Sequence, residues 1–180
     1  MSQTNTTDRL LDEAQRLVQL GGFNGFSYAD ISKAIGITKP SIHYYFPTKQ
    51  DLTLELLRRY RRQLQNGFEW LNSSTQDPKA RLTLYIQFFA GLVKDGRLCL
   101  CAALAADAGS LSAQIQLELQ GALEDKKTWL AQNLTVLKIS EPNRQAALFV
   151  ATVEGAMLLA RAYNDLATYD AICQDLLEHF

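Results

Sequence analysis

Apolar residues recur along most of the chain at the spacing of one face of an α-helix. The first such run follows Thr7, the expected N-cap, and ends at the helix-stopping pair Gly21 and Gly22. Its apolar positions are Leu10, Leu11, Ala14, Leu17 and Val18. Phe23 and Phe26 come next, and we expect both to fill a small core. The pattern therefore predicts an amphipathic first helix that packs on a compact N-terminal core.

Two short helices follow, each marked by its capping residues. Ser27–Asp30 resembles a capping box with Asp in the position of Glu, and it predicts a helix over about 28–34. Gly36 ends that helix, one residue before the chain turns apolar again. Thr38 then caps a second short helix over about 39–45. The two helices are therefore expected to be joined by a tight turn that contains glycine.

The rest of the chain also divides into helices. Pro47 closes the second short helix, and Thr48–Asp51 repeats the capping-box pattern before a long helix over about 48–72. The polar stretch 73–78 is the clearest linker. Gly and Pro positions then separate five further predicted helices, at about 78–94, 98–107, 112–134, 142–163 and 168–180. With no strand-like alternation, the sequence predicts an all-α protein of about nine helices.

Composition excludes several classes of protein. Apolar residues make up 47% and charged residues 21%, so the chain can bury a core and is not expected to be disordered. No run approaches the roughly 20 apolar residues of a membrane span, and the polar start does not resemble a signal peptide. Three cysteines cannot all pair within one chain. We therefore expect a cytoplasmic protein with reduced thiols and no membrane partner.

The formal net charge of −1 hides an uneven distribution. Residues 1–62 carry nine Lys and Arg against six Asp and Glu, a formal +3, and the remaining residues carry −4. A basic N-terminal third is typical of a segment that binds a polyanion, although an imbalance of this size also arises by chance. Charge alone therefore leaves nucleic-acid binding open.

The two short helices and the turn at Gly36 form a helix-turn-helix pattern, packed on the first amphipathic helix. In such a motif the second helix enters the major groove of DNA. Here that helix carries hydroxyls, an imidazole and phenols, which reach phosphates or base edges without burying a charge. Lys49 and the free N–H groups at the start of the next helix favour a phosphate. The expected apolar anchors of the motif are Ile31, Ile35, Ile37 and Ile42.

The run Thr38–Leu52 resembles the signature of the third and fourth helices of TetR-family transcriptional repressors. Gly21–Phe23, Phe26–Tyr28 and Asp30–Ile37 fit the same family, so the resemblance covers roughly residues 8–56. It implies an N-terminal three-helix DNA-binding domain over 1–52. It also implies a C-terminal helical domain over 53–180 for ligand binding and dimerisation, reached through the long fourth helix.

The resemblance further implies a ligand-responsive repressor that binds a palindromic operator in double-stranded DNA as a homodimer. A small-molecule inducer of unknown identity would release it, and no cofactor or metal is expected. His43 departs from the family, which usually has Tyr at a position that touches the DNA backbone. The residues expected at the DNA interface are Ser27, Tyr28, Thr38, Lys39, Pro40, Ser41, His43, Tyr44, Tyr45, Thr48 and Lys49.

Two groups near the motif have alternative interpretations. Tyr44 and Tyr45 fit either an exposed DNA-reading surface or a core, and their place in a capped recognition helix favours exposure. Phe46 is expected in the core. Arg58–Arg62 looks like a basic stripe for phosphates, but it lies far along its helix, where such runs are usually solvated faces.

The last two predicted helices are expected to form the dimer interface, as they do in the family. The helix over about 142–163 is apolar nearly all round, so it must be buried against something. The alternative is a helix pair inside one chain, and the two interpretations are compatible. The residues expected at the interface are Val153, Ala156, Leu159, Ala160, Ile172 and Leu176.

Cys99 and Cys101 are candidates for sensing a thiol-reactive inducer. They lie at the predicted start of a helix and close to Arg97, and both features lower a thiol pKa. The stretch also resembles TetR-family regulators that respond to electrophiles. The alternative is two buried thiols that pack as small apolar residues.

Two other classes of function are weaker. An enzyme is not expected, because the two histidines are His43 in the recognition helix and His179 near the end, and neither supports a nucleophile. No metalloprotease, Cys-x-x-Cys or phosphate-loop motif is present. The remaining alternative is a helical protein-interaction adaptor that does not bind DNA.

Overall fold

The computed structural model describes residues 3–180, with side chains from residue 6 onward, and within that range it contains nine α-helices and no strand. This confirms the predicted all-α class. The helices are α1 (Gln3–Gly21), α2 (Tyr28–Ile35), α3 (Lys39–Tyr45), α4 (Lys49–Ser74), α5 (Pro78–Lys94), α6 (Leu100–Ala105), α7 (Ala113–Val136), α8 (Pro142–Tyr163) and α9 (Leu166–Glu178).

The predicted capping residues fix the short N-terminal helices. At the start of α2, the Asp30 carboxylate accepts hydrogen bonds from the backbone N–H and hydroxyl of Ser27. Thr48 and Asp51 form the same pattern at the start of α4. Gly36 ends α2 with φ 72°, a left-handed conformation that glycine adopts without steric cost. Local side-chain chemistry therefore sets where these helices begin and end.

Predicted boundaries of α1, α6 and α9 differ from the structure, and α4 and α7 each extend two residues further than predicted. Helix α1 begins at Gln3, so Thr7 lies within the helix instead of capping it. Helix α9 begins earlier than predicted, because the Asp165 carboxylate accepts from the N–H groups of Ala167 and Thr168. Helix α6 is shorter than predicted, and a separate 3₁₀ turn follows it at Ala108–Ser110.

The chain folds into two compact units that do not follow chain order. The first unit comprises the residues up to Arg61 together with Leu100–Ala122, and the second comprises Arg62–Cys99 together with Leu123–Phe180. In the first unit, α1 packs against α2 and α6. Helices α4 and α7 therefore each contribute residues to both units.

The core of the second unit lies among α5, α8 and α9. Tyr85 on α5 is central to it, since its ring stacks near Trp129 and meets the ring of Phe149 edge-on. Tyr169 on α9 is completely buried, and its hydroxyl donates to the Ile86 carbonyl over 2.8 Å. Aromatic packing thus holds the helices of this unit together.

Among the helices of residues 3–180, α8 alone has the length and the apolar composition to cross a membrane. It packs instead as a core helix, with Phe149, Val153 and Ala156 buried against the rest of its unit. Its opposite side remains exposed and carries Leu148, Leu158, Leu159 and Tyr163. Helix α8 therefore has one apolar face that its own chain covers and another apolar face that is exposed.

Candidate nucleic-acid interface

Helix α3 presents a polar face to solvent and buries one anchor. Ile42 is completely buried, whereas Tyr44 is 74% exposed, so the prediction of an exposed tyrosine holds for Tyr44. Tyr45 is half-buried and meets the Tyr44 ring edge-on. The remaining expected contacts on this face, Thr38, Lys39, Pro40, Ser41 and His43, are also exposed. One face of a single short helix therefore carries most of the predicted DNA contacts.

The start of α3 is pinned by its own side chains. Thr38 Oγ1 accepts from the Ser41 N–H over 3.3 Å and lies 2.9 Å from the Ser41 hydroxyl. Ser32 donates to the Ile37 carbonyl, and Arg9 on α1 donates to the Ile35 carbonyl. These hydrogen bonds satisfy two carbonyl groups of the turn between α2 and α3, and so fix the angle between the two helices.

Tyr28 has a different role from the predicted one. Its side chain is buried, and its hydroxyl lies 2.6 Å from the Thr48 carbonyl and 2.9 Å from the Phe46 carbonyl. Burial raises the pKa of the Tyr28 phenol, and the Asp51 carboxylate adds to that effect. Tyr28 therefore fixes the turn between α3 and α4 and does not present its phenol to a molecule outside the chain.

Lys49 also turns toward the protein. Its Nζ donates to the Phe26 carbonyl and lies over the rings of Phe23 and Phe26, 4.6 Å and 4.2 Å from their centroids. Burial lowers the pKa of Lys49, while the carboxylates of Asp107 and Asp30 act in the opposite direction. In this conformation Lys49 joins α4 to the turn after α1, and its ammonium group is not presented to a phosphate.

Ser27 and Thr48 remain exposed, but their hydroxyl protons are already donated within the chain. Each hydroxyl donates to the carboxylate of its capping box, over 2.6 Å to Asp30 and 2.7 Å to Asp51. The hydrogen bonds from Ser27 lower the pKa of the Asp30 carboxyl. The backbone N–H groups of Ser27 and Thr48 are donated to the same carboxylates, so neither residue presents a free proton to a phosphate.

His43 faces solvent with one ring nitrogen engaged. Its Nδ1 lies 3.0 Å from the Pro47 carbonyl, and its ring meets the Tyr28 ring edge-on with centroids 4.8 Å apart. Because a carbonyl oxygen only accepts, Nδ1 must carry the proton of this bond. The ring orientation and the tautomer of His43 are therefore set by its neighbours.

Three arginines of the run Arg58–Arg62 form ion pairs within the first unit. Arg59 pairs with Asp12 over 2.8 Å, Arg61 pairs with Glu118 over 2.9 Å, and Arg58 lies 3.6 Å from the same carboxylate. Tyr60 is buried. These ion pairs favour the interpretation of a solvated, paired face over that of a phosphate-binding stripe.

Residues 10–56 match the family model of bacterial regulatory proteins of the tetR family. The crystal structure of a TetR-family transcriptional regulator from Agrobacterium tumefaciens is 35% identical in sequence, with a TM-score of 0.93 and 98% of both chains covered. The chain belongs to the TetR family. Its helix-turn-helix, α2 and α3, is thus the DNA-binding motif of a transcriptional regulator.

Two curated transcriptional regulators match part of the chain. EthR of Mycolicibacterium smegmatis, an HTH-type transcriptional regulator, is 31% identical over 81 residues, which are 44% of this chain and 37% of EthR. IcaR of Staphylococcus epidermidis, a negative transcriptional regulator of a biofilm operon, is 30% identical over 63 residues, 35% of this chain and 30% of IcaR. The chain therefore matches only about a third of each of these relatives.

The two candidate thiols are both completely buried and free of disulfides. The cation closest to Cys99 in the structure is not the expected Arg97, which pairs with Asp95, but Lys126, whose Nζ lies 2.9 Å from Cys99 Sγ. Lys126 is itself completely buried and pairs with Glu154. The sequence interpretation missed both Lys126 and Glu154.

The residues expected at a dimer interface separate into two groups. Val153, Ala156 and Ala160 are buried within a single chain, so they present no surface to a second copy. Leu159 is exposed, and Ile172 and Leu176 on α9 are half-buried. The sequence could not separate the two groups, because a helix that is apolar all round does not reveal which face its own chain covers.

Proposed function

We propose that this TetR-family protein is a cytoplasmic, ligand-responsive repressor that binds a palindromic operator as a homodimer. The observation that carries the proposal is the exposed face of α3. The buried Ile42 and the hydrogen bond from Tyr28 to the Thr48 carbonyl hold this helix in place. A helix presented in this way fits the major groove, with the two half-sites about 34–36 Å apart or at a multiple of that distance. The relative IcaR is a negative transcriptional regulator, which supports repression as the role of this protein.

We assign DNA binding to residues 1–52, and ligand binding and dimerisation to residues 53–180, with α4 as the connection. The exposed apolar side of α8, with Leu148, Leu158 and Leu159, supports pairing with α8 of a second copy. Gly155 lies on this helix, and an added Cβ there would meet nothing in its own chain within 4 Å. A mid-helix glycine that its own fold does not require fits the close approach of another helix.

The inducer is proposed to act on the C-terminal domain and to favour a dimer whose two recognition helices no longer match the operator spacing. Cys99 and Cys101 remain candidates for a thiol-reactive inducer. Lys126 beside Cys99 supports the first of them, because a neighbouring cation stabilises a thiolate. Burial of both thiols means that only a molecule that enters the domain reaches them.

Fluorescence anisotropy with the DNA upstream of the protein's own gene tests the proposal. We expect salt-sensitive binding that survives excess nonspecific competitor DNA, with two protein chains per operator. Tyr44→Ala, a change at a 74% exposed side chain, should leave the fold intact and weaken this binding. A folded protein that binds operator and competitor DNA equally would instead support the adaptor hypothesis.

The structure predicts opposite effects for two lysines ten residues apart. Lys39→Ala should weaken binding to all DNA sequences and lower the salt slope by about one unit, because Lys39 is exposed on α3 and suited to a phosphate. Lys49→Ala should leave the salt slope unchanged and lower the free energy of unfolding, because its ammonium group is engaged with Phe26. Titrations at several salt concentrations, with urea unfolding of both variants, measure the difference. A lower salt slope for Lys49→Ala alone would contradict the assignment.

A further inference from the structure

A charged cluster is buried in the second unit. Lys126 on α7 is completely buried, and its Nζ lies 2.7 Å from Glu154 Oε1 on α8 and 2.9 Å from Cys99 Sγ. The same nitrogen lies 4.9 Å from the centroid of the Phe89 ring. A buried ion pair is often no more stabilising than apolar side chains of similar volume. Stability alone therefore does not account for Lys126 and Glu154 at these positions.

Glu154 leaves one polar atom of this cluster unused. Oε1 accepts from Lys126, whereas Oε2 is buried and has no hydrogen-bond partner among the residues that the structure describes. An unpaired buried oxygen costs free energy as long as nothing binds to it, and a polar group placed against it recovers that cost. Oε2 is therefore the atom of the cluster at which a bound molecule gains most.

The charges around Oε2 restrict the ligand group that fits. Lys126 disfavours an added cation, and an added anion would lose its hydration in this buried cluster. A hydroxyl group both donates and accepts, so it pairs with Oε2 whether or not Glu154 carries a proton. The Phe89 ring, which adjoins Lys126 and lies against the Tyr85 ring, favours a flat apolar body. Phenols combine these two properties.

We propose that the second unit binds a small neutral phenol, whose hydroxyl group pairs with Glu154 Oε2. The proposal rests on the ligand response proposed above and names the class of molecule to which it answers. Lys126 acts as a positioning residue, because it holds Oε1 and so leaves Oε2 for the ligand. Phe89 supplies an apolar contact beside the polar group.

Calorimetric titration of the purified full-length protein with phenol and with toluene tests this site. We expect phenol to bind and toluene, which lacks the hydroxyl group, to bind at least tenfold more weakly. Glu154→Leu should weaken phenol binding about ten- to a hundredfold and leave toluene binding unchanged or stronger, since the hydrogen bond to the buried Glu154 carboxyl group is lost. Glu124→Leu, at an exposed glutamate on α7, is the matched control and should bind phenol like the wild type.

Three results would overturn the proposal: no phenol binding, equal binding of phenol and toluene, or unchanged phenol binding in Glu154→Leu. If Glu154→Leu does not fold, the pair Lys126→Met with Glu154→Leu removes both buried charges together and is tested in its place. Operator binding is measured on the same samples. If phenol does not bind but operator DNA does, only the proposed phenol site is wrong. If phenol binds but never changes operator affinity, the proposed ligand response is wrong.

An independent observation concerns how His43 contacts DNA. Its Nδ1 donates to the Pro47 carbonyl, so in the neutral imidazole Nε2 carries no proton and can only accept. A phosphate also only accepts, and the neutral ring therefore cannot bind one. In the major groove an acceptor pairs with the exocyclic amino group of cytosine or adenine. We infer that His43 reads a cytosine or adenine in each half-site, and is a specificity-determining residue.

Selection of DNA sequences from a random pool, carried out with wild-type protein and two variants, tests this role. His43→Asn keeps a donor for the Pro47 carbonyl and removes Nε2, so it should lose a preference for C or A at one symmetric pair of positions, by about 5- to 150-fold. His43→Gln, which keeps a longer polar side chain, should retain part of that preference. Unchanged base preference in His43→Asn, with uniformly weaker binding and a lower salt slope, would show a phosphate contact and overturn the inference.

Discussion

Gly25→Ala is expected to destabilise the first unit by about 3 kcal/mol, as overpacking of a closed site does. A Cβ at Gly25 would lie 2.1 Å from the Gly21 carbonyl oxygen and 2.6 Å from its carbon, and both are backbone atoms that cannot rotate away. The turn between them is also tied down, because Asn24 hydrogen-bonds to Asp107 through its backbone N–H and its side chain. Relief of the clash therefore opens the turn that supports Phe23 and Phe26.

Gly21→Ala provides the matched control for Gly25→Ala. A Cβ at Gly21 meets nothing within 4 Å, and Gly21 is the last residue of α1, so this change should be neutral or stabilising by up to about 1 kcal/mol. Urea unfolding at one fixed protein concentration, followed by circular dichroism, gives both values. Equal stabilities for the two variants would contradict the close contact between position 25 and the Gly21 backbone.

The N-terminal helices could be predicted closely because their boundaries depend on neighbouring residues. The span of α3, Lys39–Tyr45, was given by Thr38 at its start and Pro47 after its end. The two capping boxes were equally local, each closed between residues three apart. Signals of this kind need no knowledge of the rest of the fold.

The roles of Tyr28 and Lys49 could not be read in this way. Both lie in the motif and carry groups suited to DNA, but their partners are the carbonyls of Thr48 and Phe26, about twenty positions away in the sequence. Whether such a side chain faces outward or inward depends on tertiary packing, which composition and spacing do not encode. The motif thus predicted where the DNA-binding helix lies better than it predicted which side chains touch DNA.

Lys126 and Glu154 left signals in the sequence that a stricter use of periodicity would have found. Lys126 lies four residues after Ala122 and three before Trp129, both buried, and so falls on the apolar stripe of α7, whereas Lys127 lies three residues after the exposed Glu124. Glu154 is the one charged residue between Ala146 and Ala160. A charge at an apolar position of a helix is a better indicator of a buried site than a cysteine near a helix start.

The free energy of unfolding of the wild-type protein is expected to fall as the pH rises from about 5 to about 8. Burial raises the pKa of Glu154 from its ordinary value of 4.5 to about 8, with Cys99 adding to the effect and Lys126 opposing it. The native state then holds this proton across a range in which the unfolded chain has lost it, so the contribution to stability is full below pH 4.5 and is lost as the pH passes 8. The total change is on the order of 4 kcal/mol at most.

Glu154→Gln should remove this pH dependence, because the amide cannot titrate, while its shape remains close to that of the protonated acid. Glu124→Gln, at an exposed carboxylate paired with Lys127, should keep the slope of the wild type. Urea unfolding of the three proteins at half-unit steps of pH, at constant ionic strength, separates Glu154 from the other carboxylates. A wild-type curve that rises over this range would mean that Glu154 is ionised in the native state, with the Lys126 ammonium group stabilising it more than burial destabilises it.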